Sequence, residues 1–292
     1  IGMAMNCFTQ KGDKVMIQPP VYHPFAWVTT RNERTLVTNP LKWENGMYRM
    51  DLDTFREQIK GCKLFILCNP HNPGGVVWTE AELRAIADIC YDEKVLVFSD
   101  EIHADLTLPP HTHRPFATVS EKARMNSVTF MSPSKAFNMP GLSASHALIF
   151  NEDLRKRFRI YMDAGELDMG HVFAFLSVEA AYSHGTEWLD QCLAYIQGNI
   201  DFVDDFLKNH APKIKAIRPE ASYLVWLDCR ELELSQKDLN EFFVDKAHLA
   251  LNDGEMFGKE GIGFMRLNVA SPRCIIEKAM KQLADAYQLY IK

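Results

Sequence analysis

A single lysine stands in the stretch FMSPSKAFNMPG, residues 130–141, between the apolar runs SVTFM and HALIF. Ser132 and Ser134 precede Lys135, and Asn138-Met139-Pro140-Gly141 follows it. The spacing places the lysine in a loop. Such a lysine is either a solvated surface cation or an amine held beside a carbonyl, ready to form a Schiff base. Asp100 closes the run VLVFS thirty-five positions earlier. At a strand end it is either a cap or a carboxylate set against a pyridine nitrogen, which it would keep protonated. Ser132 and Ser134 serve turn chemistry or donate to a phosphate. Asn72, in NPHNPGG, is either a turn residue or a donor to a ring hydroxyl.

The elements that must position these groups alternate. KVMIQ (14–18), KLFILC (63–68), VLVFS (95–99), SVTFM (127–131) and HALIF (146–150) read as strands. A helix is expected from Asp51 to Lys60, and Thr79 with Glu82 forms a capping box for another reaching about Glu93. Continuous apolar strands alternating with helices predict an α/β fold, with a mostly parallel central sheet covered by helices on both faces. Ligands bind beyond the carboxyl ends of such strands. Asn69 and Asn72, Asp100 and His103, and Ser132 and Lys135 follow three different strands and so converge on one edge. After about residue 151 the pattern turns helical: 151–161, 171–184 and about 188–209. YLVWLD (223–228), LALND (249–253) and FMRLNVA (264–270) read as strands among helices at 235–247 and 273–290. This predicts a large domain over 1–187 and a smaller C-terminal α+β domain over 188–292.

In order, NPHNPGG, SDEIH, SPSKAFNMPG and FMRLN resemble the motif set of fold-type I pyridoxal-phosphate enzymes, the aspartate aminotransferase superfamily of class I and II. The resemblance spans essentially the whole chain. With SDEIH, SKAFN and PPVYHPF it lies nearest the cystathionine β-lyase, or C–S lyase, branch. It implies a pyridoxal 5′-phosphate-dependent transferase-like fold and assigns roles. Lys135 would hold the cofactor covalently and shuttle the substrate's α-proton, and Asp100 would pair with the pyridinium. Asn72 and His103 would bond the phenolic oxygen, and Tyr22 would stack on the ring. Ser132, with Ser134, would bind the phosphate, and Arg266, with Asn72, would bind the substrate, the arginine clamping its α-carboxylate. Two positions depart from the pattern. Ser143 stands where many relatives carry an arginine for the phosphate, and Gly74 stands where Asn-Pro-Thr-Gly has threonine. IGMAMNCF reads as a helix already under way, so a preceding segment with part of the phosphate site is expected. The implied reaction is β-elimination from cystathionine or another S-substituted L-cysteine, giving thiol, pyruvate and ammonia. The alternatives are an aminotransferase of class I/II and a truncated, non-catalytic binding or regulatory paralogue. A cytoplasmic homodimer acting on a small amino acid is implied.

Rival chemistries fare worse. Ser132-Pro133-Ser134-Lys135 also fits the Ser-x-x-Lys of acyl-enzyme hydrolases. The chain, however, has neither Ser-Asp-Asn nor Lys-Thr/Ser-Gly, and the motif is expected not to open a helix. His111-x-His113 lies in a proline-rich loop with no third ligand at a usual spacing, so no metal is expected. A net charge of −6 argues against nucleic acid as a partner. The longest apolar runs fall short of the roughly 20 residues that span a bilayer. Seven cysteines without a Cys-x-x-Cys pair read as buried, reduced thiols.

Overall fold

The computed structural model describes residues 1–290. In chain order the elements are α1 (Gly2–Phe8), β1 (Lys14–Ile17), α2 (Pro24–Arg31), β2 (Thr35–Thr38), β3 (Lys42–Glu44), β4 (Met47–Arg49), α3 (Leu52–Gln58) and β5 (Cys62–Cys68). Then come α4 (Glu80–Asp92), β6 (Leu96–Asp100), α5 (Glu121–Met125), β7 (Ser127–Met131), α6 (Pro133–Ala136), β8 (His146–Leu148), α7 (Glu152–Ala164) and α8 (Val172–His184). The chain closes with α9 (Thr186–His210), β9 (Lys215–Ile217), β10 (Leu224–Asp228), α10 (Gln236–Glu241), β11 (Asn252–Asp253), β12 (Phe264–Asn268) and α11 (Arg273–Tyr290).

The central sheet has the order β2-β1-β5-β6-β7-β8, with every pair parallel except β7 and β8. Alternation along β5 explains why both faces are covered. Phe65 and Leu67 enter a core with Phe55 of α3 and Leu83 and Ile86 of α4. Leu64, Ile66 and Cys68 enter the opposite core with Met5 of α1 and Phe25 of α2. A strand buried on both sides has no polar face, hence its unbroken apolar reading.

The second sheet, β11-β12-β10-β9, is antiparallel throughout. Val225 and Leu227 of β10 and Met265 and Leu267 of β12 face a core closed by Ile196, Ile200, Val203 and Leu207 of α9. Ile276, Met280 and Leu283 of α11 complete it, and both helices show helical spacing. The intervening residues Trp226 and Phe264 pack instead into a core of the central sheet. The small sheet is therefore two-faced, and its second face looks toward the large one. α9 runs through the position of the expected 187/188 division, which we retain as a proposal.

Several local expectations change. Lys135 lies in a helical turn, not a loop: Ser132 caps α6 by accepting from the Ser134 N–H, and Pro133 sits at its start. The Ser-x-x-Lys stretch thus does open a helix. The strand expected over 249–253 shrinks to Asn252–Asp253, the two residues that pair with Arg266 and Met265 of β12. The helix over 235–247 changes at Phe242 to a π-helical turn. A β3–β4 hairpin outside the sequence expectations turns at Asn45-Gly46, both with positive φ. The Thr79–Glu82 capping box forms with both of its bonds.

Candidate active site

Neighbouring strands β1, β5, β6 and β7 release their chains at one sheet edge. Tyr22, Asn72, Asp100, His103 and Lys135 are carried there by the segments that follow or end them. Together with Arg266 of β12 they line one cavity of about 160 Å³. Six of the eight residues given cofactor or substrate roles therefore meet, whereas Asn69, expected at the same edge, lines neither this cavity nor the chamber beside it and donates to the Arg114 carbonyl at 3.2 Å. Ser134 lines an adjoining chamber of about 320 Å³, which shares Lys135. Ser132 lines neither. Its hydroxyl donates to the Ala144 carbonyl at 2.6 Å and accepts from the Ser134 N–H at 3.1 Å.

Arg266 reaches the cavity because it alternates with the core residues Met265 and Leu267. Its Nη1 donates to Asn72 Oδ1 at 2.8 Å and its Nη2 to Asn252 Oδ1 at 2.7 Å. Its Nε is buried without a partner, and the guanidinium lies 4.7 Å over the Phe257 ring. No carboxylate among the described residues forms an ion pair with it. Burial lowers its pKa.

Asp100 is buried and accepts from the Ile102 N–H at 3.4 Å. Burial pushes its carboxyl up to about 6, opposed by that N–H and by the charge of Lys135 among others. His103 is buried with Nδ1 unpartnered. Burial, then the charges of Lys135 and Arg266, pull it down to about 3, so the ring is neutral. Burial and the neighbouring Asp100 raise the Tyr22 hydroxyl.

Sequence reasoning missed several neighbours. Tyr223 and Asn268 line both chambers, and the Tyr223 ring stands 6.3 Å from that of His103. Tyr223 could have been found from the strand pattern, since it opens the run into β10. Cys68 receives the Asn72 N–H at 3.4 Å, and its thiol is raised by burial and by Asp100. Glu101 accepts from Ser99 Oγ, His113 Nε2 and the Phe116 N–H. His113 is thereby committed to holding the 101–116 loop. Five cysteines are buried, but Cys192 is partly accessible and Cys274 is exposed, correcting the expectation that they are uniformly buried. All seven are unpaired.

The profile of the family described as Aminotransferase class I and II matches residues 1–283. The cystathionine beta-lyase PatB of Bacillus subtilis is 38% identical over 98% of this chain and 74% of its own. Cystalysin from Treponema denticola, whose crystal structure contains a pyridoxal 5′-phosphate cofactor, superposes with a TM-score of 0.95 at 35% identity. That match covers 98% of this chain and 73% of that one. The PLP-bound C-S lyase from Staphylococcus hominis gives 0.91 at 32%, covering 100% and 76%.

Proposed function

The chain belongs to the class I and II aminotransferase family, and from that premise we propose that it is a pyridoxal phosphate-dependent carbon–sulfur lyase. Its substrate would be cystathionine or another S-substituted L-cysteine, cleaved with water to a thiol, pyruvate and ammonia. The observation that carries this reading is the convergence of Lys135, Asp100, Asn72, His103, Tyr22 and Arg266 on one cavity. The donor set fits the cofactor. Asp100 is a buried carboxyl whose negative charge is costly without an adjacent cation. His103 Nδ1 and Arg266 Nε are buried polar atoms without partners.

Bound there, pyridoxal phosphate supplies a protonated pyridine ring that draws electrons from the substrate's α-carbon. Asp100 holds the proton on the ring nitrogen. Asn72 Oδ1 is engaged by Arg266, which leaves its NH2 to donate to the phenolic oxygen. Neutral His103 offers a second contact there without adding charge. Tyr22 covers the ring face. For the phosphate we propose Ser134, with Ser132, whose hydroxyl lies 2.8 Å away and gives its proton to the Ala144 carbonyl, holding it in place. Arg266 binds the substrate's α-carboxylate and orients the Cα–H bond toward Lys135. Lys135 Nζ would take the proton from Cα and return it to the sulfur departing from Cβ, so that the product leaves as a thiol.

We further propose a cytoplasmic homodimer. Ile160, Met169, Phe173 and Phe175 of the α7–α8 region are exposed by 62–84% and form apolar surface suited to a second copy. The unpaired cysteines suit a reducing compartment. Among the described residues no helix is long and apolar enough to cross a membrane.

Purified protein with pyridoxal phosphate and cystathionine should release pyruvate and free thiol together. Turnover without thiol, and only when a keto acid is added, would replace elimination by amino-group transfer. A chain that takes up no cofactor, judged by absorbance, would leave only the binding-paralogue reading.

A further inference from the structure

His71, between Asn69-Pro70 and Asn72-Pro73, has no part in the chemistry above, yet it is buried within the loop that carries Asn72. Its Nε2 lies 2.9 Å from the Pro20 carbonyl oxygen, and its Nδ1 accepts the Gly74 N–H at 3.3 Å. One partner only accepts and the other only donates, so the tautomer is fixed with the proton on Nε2. Tyr48 and Trp78 hold the ring from two sides, with centroids at 5.9 and 5.6 Å. Burial pulls the imidazole down to about 4, so both bonds persist across the neutral range.

One bond crosses to the loop of Pro20, and the other fixes the ring within its own loop, 69–75. Pro20 stands two residues before Tyr22, and Gly74 stands two residues after Asn72. We propose that His71 is a positioning residue: its imidazole sets the separation between the loop bearing Tyr22 and the loop bearing Asn72, and thereby the width of the slot between them. The inference rests on the assignment of those two residues to the cofactor. It also accounts for Gly74. A Cβ at that position would lie 2.9 Å from His71 Nδ1 and 2.8 Å from Tyr48 Cδ2. The imidazole fills the room that a threonine side chain would need, so His71 and Gly74 form a matched pair.

The test compares wild type, His71→Phe and His71→Asn as full chains. Phenylalanine keeps a ring and loses both bonds; asparagine keeps an acceptor near the Gly74 N–H. Three quantities are read: melting temperature without cofactor, the dissociation constant for pyridoxal phosphate, and the pH midpoint of the bound cofactor's absorbance change. His71→Phe should weaken cofactor binding about tenfold, the scale of one lost buried hydrogen bond. It should also move the midpoint upward, because a displaced Asn72 no longer donates to the phenolic oxygen. His71→Asn should fall between. A lower melting temperature with unchanged affinity and midpoint would make His71 a fold brace only and overturn the proposal. If His71→Phe does not fold, His71→Asn decides by the same two readouts, and failure of both to fold overturns it too. Wild-type protein that binds cofactor but releases no thiol would sink the lyase reading and leave this one standing.

Discussion

Arg266 Nη1 and Asn72 Oδ1 meet at 2.8 Å across 194 residues of sequence, joining the small sheet to the large one inside the cavity. The bond orients two groups at once. It aims the guanidinium, and it settles which end of the Asn72 amide is left to face a ligand. Two amide oxygens hold Arg266 without neutralising it, which is the state a carboxylate-binding arginine requires.

Replacing Arg266 with lysine removes the planar fork. A point charge on a flexible stem cannot satisfy Asn72, Asn252 and a substrate carboxylate together. Arg266→Lys should lower kcat/KM about 10- to 100-fold, the scale of a lost charged hydrogen bond, mainly through KM. Steady-state kinetics checks this against the α-carboxamide of the same substrate. That compound has no charge to lose and should fall much less.

Asp100 links function to stability. Its carboxyl keeps a proton up to about pH 6 in the folded chain, against an ordinary value of 3.8. Between those values the native state binds more protons than the unfolded one, so this group's contribution to stability falls as pH rises. Across that interval the loss reaches about 3 kcal/mol at most. Cofactor-free Asp100→Asn should therefore melt above wild type at pH 8 and level with it at pH 4, while losing turnover. Thermal melts at the two pH values check the sign. A variant that melts lower at pH 8 contradicts it.

Lys135 is only partly buried, and no hydrogen bond or ion pair involving its amine is found among the described residues. Lys135→Ala should leave far-UV circular dichroism unchanged. Turnover should fall on the order of 10²–10⁴-fold, the usual contribution of a positioned proton-transfer group, and the cofactor should dialyse away. Retention of the cofactor's absorbance after dialysis would contradict the assignment.

A charge on the α8 surface should disturb assembly before it disturbs the fold. Phe173 is 68% exposed, so Phe173→Glu loses little burial within the chain. Sedimentation velocity should show wild type near twice the chain mass and the variant shifted toward the single chain. Identical profiles would remove Phe173 from the interface.

Much of this was legible in the sequence because the physics was local. The capping box at Thr79 and Glu82 is a three-residue rule, and it formed as written. Strand-end chemistry needed only the apolar runs and the rule that ligands sit beyond the carboxyl ends of parallel strands. What escaped depended on distant partners. The fixed tautomer of His71 needs Pro20, fifty-one residues away. The commitment of Ser132 to Ala144 needs a turn that returns twelve residues later. The helical setting of Lys135 escapes for the opposite reason. Pro133 suits a loop and a first helical turn equally, and only the capping hydroxyl of Ser132 separates them. Asn45-Gly46 is a local hairpin signal, but the strands it joins are three residues each, too short to show alternation.

The alternation along β12 limits how this chain can diverge. Arg266 serves the cavity while Met265 and Leu267 on either side build the small core. Substituting position 266 leaves the core residues in place, so a lineage can revise what it recognises one residue at a time. Inserting or deleting a single residue within the strand exchanges its faces, burying the guanidinium and stranding two core side chains at once. In this strand a change of length costs the cavity arginine and two core side chains together, whereas a change of identity at position 266 touches the cavity alone.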